Sequence, residues 1–357
     1  MTVSDAELTR AIASPATAPP PATAFADWPM GWCTLGTSSE LSRGPVSRER
    51  FGRRVVGYRT SGGQAVAMDA RCWHMGADLG SGDVVGDCVR CPFHGWQFDA
   101  TGRCARVRSG DTPPPGARQR TFATAERGGR VFVFPGDAPN HPLPFFDGVA
   151  PHELFAAPPF EFRLRCPWWL VGTNGFDVQH FLGAHDRRLV APPAVSSPHP
   201  AARRVVATFE VVGRAWRDRL TRRVSGPFVA MDVTVWAGSL VFVQARFTRA
   251  PGGPHRTTSY GLVEIVPGTS SDDGEPTSVV RITIFVRKRP GVRGLIDPLD
   301  VRVRRQFIRA FLEPDARLLD GARYRPERLI AADRLMTDYL AWLAPVSHGN
   351  LASEEPT

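Results

Sequence analysis

Across residues 28–135 the hydrophobic positions come in short runs, such as Arg54-Val55-Val56-Gly57-Tyr58, Ala65-Val66-Ala67-Met68 and Arg130-Val131-Phe132-Val133-Phe134. Glycines and polar turn residues separate them. That cadence predicts a small all-β domain. Beyond residue 160 the pattern changes. A helical segment is expected at 174–185, followed by strands at 205–212, 230–236, 240–247 and 279–286. Helical periodicity over 301–319, and again over 331–343, predicts two late helices. Strands grouped in the middle with helices at the ends make this second part an α+β layer, an antiparallel sheet covered by helices.

These patterns divide the chain into five stretches. Residues 1–26, rich in Ala, Pro and Thr, read as a disordered leader, and 27–136 as the all-β domain. Residues 137–160 are dense in proline and read as a connector, 161–345 as the second domain, and 346–357 as a polar tail. A length of 357 residues with 42% hydrophobic and 22% charged positions suits two globular domains with real cores. No run of 18 apolar residues suggests a membrane span, and no signal-peptide pattern opens the chain. The net charge of +9 comes from dispersed arginines, with Lys288 the single lysine. No nucleic-acid-binding signature accompanies them, so they read as surface bias or as a docking face for an acidic electron donor.

Two clusters carry the chemistry: Cys72-Trp73-His74 and Cys91-Pro92-Phe93-His94. Two thiolates and two imidazoles are the ligand set of a [2Fe–2S] centre with both sulfurs on one iron and both histidines on the other. A structural zinc site is the competitor, because Cys88-x-x-Cys91 is itself a zinc-type pair. It would leave out one of five candidate ligands. A chain that needs free thiolates fits a reducing cytoplasm. Residues 28–135 resemble the N-terminal domain of Rieske non-heme iron oxygenase α subunits, through Cys72-Trp73-His74-Met75-Gly76-Ala77-Asp78-Leu79 and Cys91-Pro92-Phe93-His94-Gly95-Trp96. Trp73 departs from that family, which often has a proline or a small polar residue there.

A second constellation lies in Asn174-Gly175-Phe176-Asp177-Val178-Gln179-His180-Phe181-Leu182-Gly183-Ala184-His185. His180 and His185 with one carboxylate would form the facial triad of a non-heme Fe(II) site. Five residues apart, they lie about 140° apart on a regular helix, so the helix is expected to end or distort between them, at Gly183. Asp177 shares the face of His180 and can hydrogen-bond its imidazole. The block is similar to the family signature Asn-x-x-Asp-x-x-His-x-x-x-x-His, which makes Asn174 and Asp177 candidate catalytic residues. For the third ligand, Asp315 falls at the centre of an apolar stripe of Phe307, Ile308, Phe311, Leu312, Leu318 and Leu319, where a bare carboxylate is costly to bury. A helix broken at Pro314 would void that geometry. The family also takes its carboxylate from a C-terminal helix.

The resemblance implies a [2Fe–2S] cluster on Cys72, His74, Cys91 and His94, and a mononuclear Fe(II) on His180, His185 and Asp315. It further implies a ferredoxin or flavin reductase as electron donor, O2, and a head-to-tail homotrimer with Asp177 at the junction. The expected activity is oxidation of a C–H bond, chiefly monooxygenation, in an apolar steroid-like, aromatic or natural-product substrate. Desaturation, demethylation or oxidative cyclisation on the same scaffold, or electron transfer alone, are the alternatives. Phe228, Met231, Val233, Trp236, Phe242, Phe307 and Phe311 are the expected pocket residues.

Overall fold

The computed structural model describes residues 18–269 and 273–351, and these form two compact units. Met30–Leu143 is one of them. Its six-stranded antiparallel sheet runs in the order Cys33–Thr37, Arg130–Phe134, Thr121–Arg127, Ala65–Asp69, Arg53–Arg59, Val46–Arg50. A second sheet of four short strands, Asp83–Val85, Cys88–Arg90, Gln97–Phe98 and Cys104–Arg106, carries the segments leading into and out of Cys91. Val56, Tyr58, Met68, Leu79, Val89 and Phe98 form the buried floor under Cys72 and Cys91. The three apolar runs seen in the sequence are strands of the larger sheet, buried nearly continuously along their length.

The other unit takes the chain from Pro144 onward together with the described residues before Met30. Five long antiparallel strands dominate it: β1 (Ala202–Val211), β2 (Phe228–Trp236), β3 (Leu240–Thr248), β4 (Thr257–Pro267) and β5 (Ser278–Arg287). They pair in sequence order, with Arg187–Leu189 added beside β1 and Leu154–Ala156 beside β5. Phe160–Leu164 also pairs with β5. β4 escaped the sequence pattern because Thr257, Thr258, Ser259 and Gly261 dilute its apolar run. Four α-helices of six residues or more accompany this sheet among the described residues: α1 (His180–His185), α2 (Trp216–Val224), α3 (Asp297–Leu319) and α4 (Arg334–Ser347). None of the described helices is long and apolar enough to cross a membrane.

Side chains on successive strand positions point to opposite faces, so register decides what each face meets. Val205, Val233, Val241, Ile265, Ile282 and Ile284 share one face and pack with Tyr339, Leu340 and Leu343 of α4. Further along that face Ala207, Phe209, Val229 and Met231 meet Phe181 of α1 and Phe311 of α3. The opposite face is covered by Phe146, whose ring packs edge-on against Phe242, Tyr260 and Phe285. Residues 144–160, read from their prolines as a connector, thus belong to the larger unit. Phe25, placed in the leader by its surroundings, is buried and stacks on Trp169 at 4.2 Å. Most of the expected leader (residues 1–17) lies outside the described residues, as do 352–357 of the expected tail. Val346 and Ser347, at the start of that tail, are buried in the last turn of α4.

α3 holds its course through a chain of charges. Asp297 and Asp300 in its first turn both pair with Arg289. Arg304 bonds Asp300 and reaches β4 at the Thr258 carbonyl (3.0 Å) and Ser259 Oγ (2.9 Å). At the far end Asp320 leaves helical geometry and accepts bonds from Arg165 N and Nε. Pro314 does not break the helix. It costs one intrahelical bond, which the tethers at both ends and the packing of Ile308, Leu312, Ala316 and Leu319 offset.

In the smaller unit Asp78 closes the turn after Cys72. Its carboxylate accepts bonds from Ser47 Oγ (2.6 Å), Gly80 N (2.8 Å) and Arg54 Nε (2.6 Å). Burial pushes its pKa up, but these three donors outweigh burial and hold it below the ordinary carboxylate value. A depressed folded pKa adds stability that is present above the unfolded value, about 4, and is lost as pH falls through the folded value. Asp78→Asn is expected to cost about 1–2 kcal/mol at neutral pH in chemical denaturation, with the gap to the parent closing in acid. A gap that stayed constant into acid would refute this role.

Candidate metal centres

Cys72 and Cys91 sit in two loops with the same hydrogen-bond pattern. Cys72 N donates to Ala77 O at 2.9 Å and Gly76 N to Cys72 O at 2.8 Å. Cys91 N donates to Trp96 O at 2.8 Å and Gly95 N to Cys91 O at 3.1 Å. Each loop turns on a glycine in the left-handed region, Gly76 at φ 73° and Gly95 at φ 71°, four residues after its cysteine. The loops match although one places its histidine two residues after the cysteine and the other three. Both cysteines are buried and close enough for one thiol to hydrogen-bond the other. Burial foremost pushes the Cys72 thiol up to about 11, against bonds from the backbone of His74 and Met75. The His74 and His94 rings stand 4.8 Å apart, with His74 stacked on Trp96 at 4.6 Å.

A single tetrahedral zinc would draw three or four donor atoms to within about 4 Å of one another. Among the described residues only His180, His185 and Asp315 bring three such atoms within 4.8 Å. The Cys72, Cys91, His74 and His94 donors form two pairs instead, which fits a two-iron cluster with sulfurs on one iron and imidazoles on the other. Cys88, the cysteine that a zinc site would recruit, is half-buried with Asp87 and Asp99 as charged neighbours and the Cys104 thiol nearby.

The second donor set is built from two helices. His180 opens α1 and His185 closes it. The expected break at Gly183 is absent; the chain turns only after His185, where Asp186 adopts a left-handed φ of 54°. The two rings stand with centroids 5.4 Å apart at the ends of this helix, and α3 delivers Asp315 to both. His185 Nε2 stands 2.7 Å and His180 Nε2 3.9 Å from Asp315 Oδ1. Two donors about 2.1 Å from one metal and at right angles are about 3 Å apart, and the observed pair brackets that. These three atoms are buried, face one another, and make no hydrogen bond. Orphaned buried polar atoms are costly, and a cation among them removes the cost. Burial foremost pushes the His180 pKa below its ordinary value, which favours the neutral imidazole a metal needs.

Asp177 controls His180 from below. Its carboxylate accepts from Gln179 N (3.2 Å) and His180 N (3.3 Å), and its backbone carbonyl meets His180 Nδ1 in a short contact. With Nδ1–H donating there, Nε2 keeps its lone pair toward Asp315. Asn174 is half-buried in the turn Gly172–Gly175, and among the described residues no hydrogen bond joins its side chain to the three.

Sequence reasoning missed the support of His185. The Phe311 ring stacks on the His185 imidazole at 4.0 Å, and the Arg187 guanidinium lies 5.5 Å above the Phe311 ring. Arg187 also donates to the His185 carbonyl at 2.8 Å and pairs with Asp218 of α2 at 2.8 Å, both side chains being nearly buried. No sequence signal pointed to this pair; the structure shows how closely it packs, since a Cβ at Gly213 would sit 2.2 Å from Asp218 Oδ2. The expected pocket residues separate onto two faces. Met231 and Val233 face α1 and α3, whereas Phe228, Trp236 and Phe242 lie on the other side of the sheet. Leu318, counted in the α3 stripe, is 63% exposed and lines an open cleft of about 510 Å³ with His180, Gly183, Ala184, Pro314 and Arg317.

Residues 31–122 match the model of the Rieske [2Fe-2S] domain. The chain is 36% identical to aminopyrrolnitrin oxygenase PrnD of Pseudomonas fluorescens over 163 residues, 43% of this chain and 45% of that protein. It is 39% identical to the oxygenase component of 3-ketosteroid-9-alpha-monooxygenase of Rhodococcus rhodochrous over 115 residues, 32% of this chain and 30% of that one. The match thus spans less than half of either relative. The fold is similar to that of dicamba monooxygenase bound to dicamba, with a TM-score of 0.68 at 16% identity, covering 91% of this chain and 98% of that one.

Two predictions test the second centre. Asp315→Ala is expected to reduce iron from about three to about two per chain after anaerobic reconstitution, leaving the cluster absorption intact. Arg187→Met, which strands Asp218 in a buried site, should cost about 3–5 kcal/mol in denaturant unfolding, and Arg187→Met with Asp218→Leu should recover most of it. Equal losses in the single and double variants would show the pair to be uncoupled.

Proposed function

We propose that this chain, a member of the Rieske non-heme iron oxygenase α subunits, is the terminal component of a monooxygenase system acting on a C–H bond of an apolar small molecule. The reading rests above all on one observation: a chain with two Rieske loops also buries His180, His185 and Asp315 as three facing, unpartnered ligand atoms. An electron carrier needs the first set alone. The relatives' names, an aminopyrrolnitrin oxygenase and a ketosteroid monooxygenase, agree with an aromatic or steroid-like substrate.

When bound, the cluster supplies single electrons and the mononuclear Fe(II) supplies O2 chemistry through positions that a facial triad leaves open. The chain's own residues set the conditions. Asp177 fixes the His180 tautomer through its carbonyl and holds the start of α1 through its carboxylate. Phe311 and Phe181 cover the imidazoles and keep water from that side, while Phe209 and Met231 extend the apolar wall. The side chains of this wall are apolar, which suits an apolar substrate.

Asp177 also serves as the electron bridge in a head-to-tail homotrimer. Trp73, Met75 and Phe93, 45–65% exposed around the cluster loops, offer an apolar tip. The cleft beside His180, floored by Gly183 and Ala184, offers a shallow receptor for the tip of a neighbouring subunit. A ferredoxin or flavin reductase is the donor. Six free cysteines support a reducing, cytoplasmic setting.

With a reductase, NADH and a panel of aromatic and steroid-like compounds, the protein is expected to consume O2 in a substrate-dependent way and, under 18O2, to place one 18O atom in product. No O2 uptake with any compound would leave only electron transfer. Asp177→Asn is expected to keep both iron centres yet lose nearly all turnover; normal turnover in that variant would sink the bridge.

A further inference from the structure

Eight of the sixteen most exposed large apolar side chains among the described residues lie on α2 and around the start of α3. On α2, Trp216, Leu220 and Val224 are 58%, 41% and 60% exposed and recur every fourth residue, forming one stripe. Around the start of α3, Val292, Leu295, Leu299 and Val303 are 82%, 81%, 65% and 48% exposed. The two groups meet where the Trp216 ring contacts Phe307 at 5.9 Å. A soluble surface scatters such residues singly, and a contiguous exposed group marks a binding face.

The charges around this face have one sign. Arg217, Arg219, Arg223, Arg293 and Arg302 are exposed. Three acids lie on the same segments, and each is already paired: Asp218 with Arg187, Asp297 with Arg289, and Asp300 with Arg289 and Arg304. A second copy docking through the same face would bring the arginines of both against each other, which like-charge repulsion opposes. An apolar stripe with an arginine rim on a helix lying flat fits instead the interface of an anionic bilayer.

A row of residues four apart on α3 strengthens this reading: Leu299, Val303, Phe307, Phe311 and Asp315. Because four residues overshoot one turn by about 40°, the row winds gradually around the helix. Its members pass from 65% and 48% exposed, through half-buried Phe307 and Phe311, to Asp315 at 6%. The docking face and the buried ligand set are the two ends of one apolar row.

We propose that α2 and the first half of α3 dock this protein on an anionic phospholipid surface, with Trp216, Leu295 and Leu299 entering the interface and the flanking arginines binding headgroups. The proposal holds whatever reaction the buried site performs. It is tested by co-sedimenting the full-length, iron-loaded protein with phosphatidylcholine vesicles, with or without phosphatidylglycerol. Binding to the anionic vesicles is expected, with little binding to neutral ones and a decline as salt is raised. Leu295→Ser with Leu299→Ser, and separately Arg219→Gln with Arg223→Gln, should each weaken it about tenfold. These side chains are exposed, so circular dichroism and melting should match the parent. Failure to bind anionic vesicles overturns the proposal, as does binding that both double variants retain. It is also overturned if the variants instead change the oligomeric mass by light scattering, or abolish retention of an acidic electron-transfer protein while vesicle binding is absent.

Discussion

The larger unit depends on one unfavourable arrangement: a buried carboxylate facing two buried imidazoles with no hydrogen bond among the three. Desolvation alone would drive these groups apart or into solvent. They stay because each is held from outside. Asp177 and Phe181 fix His180, Phe311 and Arg187 fix His185, and the tethered ends of α3 fix Asp315. Stability of the surroundings is spent on keeping a cation-shaped gap between opposed lone pairs, a pattern expected of functional sites.

The smaller unit solves a related problem by repetition. Two loops of equal Cys-to-Gly length put two sulfurs side by side on a buried floor, and left-handed glycines close both turns. The histidine offset between them rotates one imidazole onto Trp96 and leaves the other against Phe93. Identical backbone frames thus carry unlike side-chain surroundings.

Much of this was legible in the sequence. The short β runs, the late helices and the ligand spacings all follow from local pattern, since each depends on residues a few positions apart. Asp315 could be singled out because a lone acid on an apolar stripe contradicts its own surroundings. What failed was non-local. Phe228 and Met231 are equally apolar, and only strand register shows that they face opposite sides. Gly183 stays helical, and the two terminal imidazoles are brought to one point by Asp315 reaching in from α3, a contact no local pattern reveals. Arg187 and Asp218 are separated by about thirty residues and carry no motif, so their pairing was invisible until the strands brought them together.

The Arg187–Asp218 pair has a consequence for how this protein tolerates change. The segment between β1 and β2, with half of its residues exposed, is the kind of place where chains ordinarily accept insertions and deletions. Here its helix is moored to the residue two places after His185, with no room at Gly213 for even a methyl group. Lengthening or shortening that excursion by a single residue would pull on His185 itself. A stretch that looks like free surface is part of the frame around His180, His185 and Asp315.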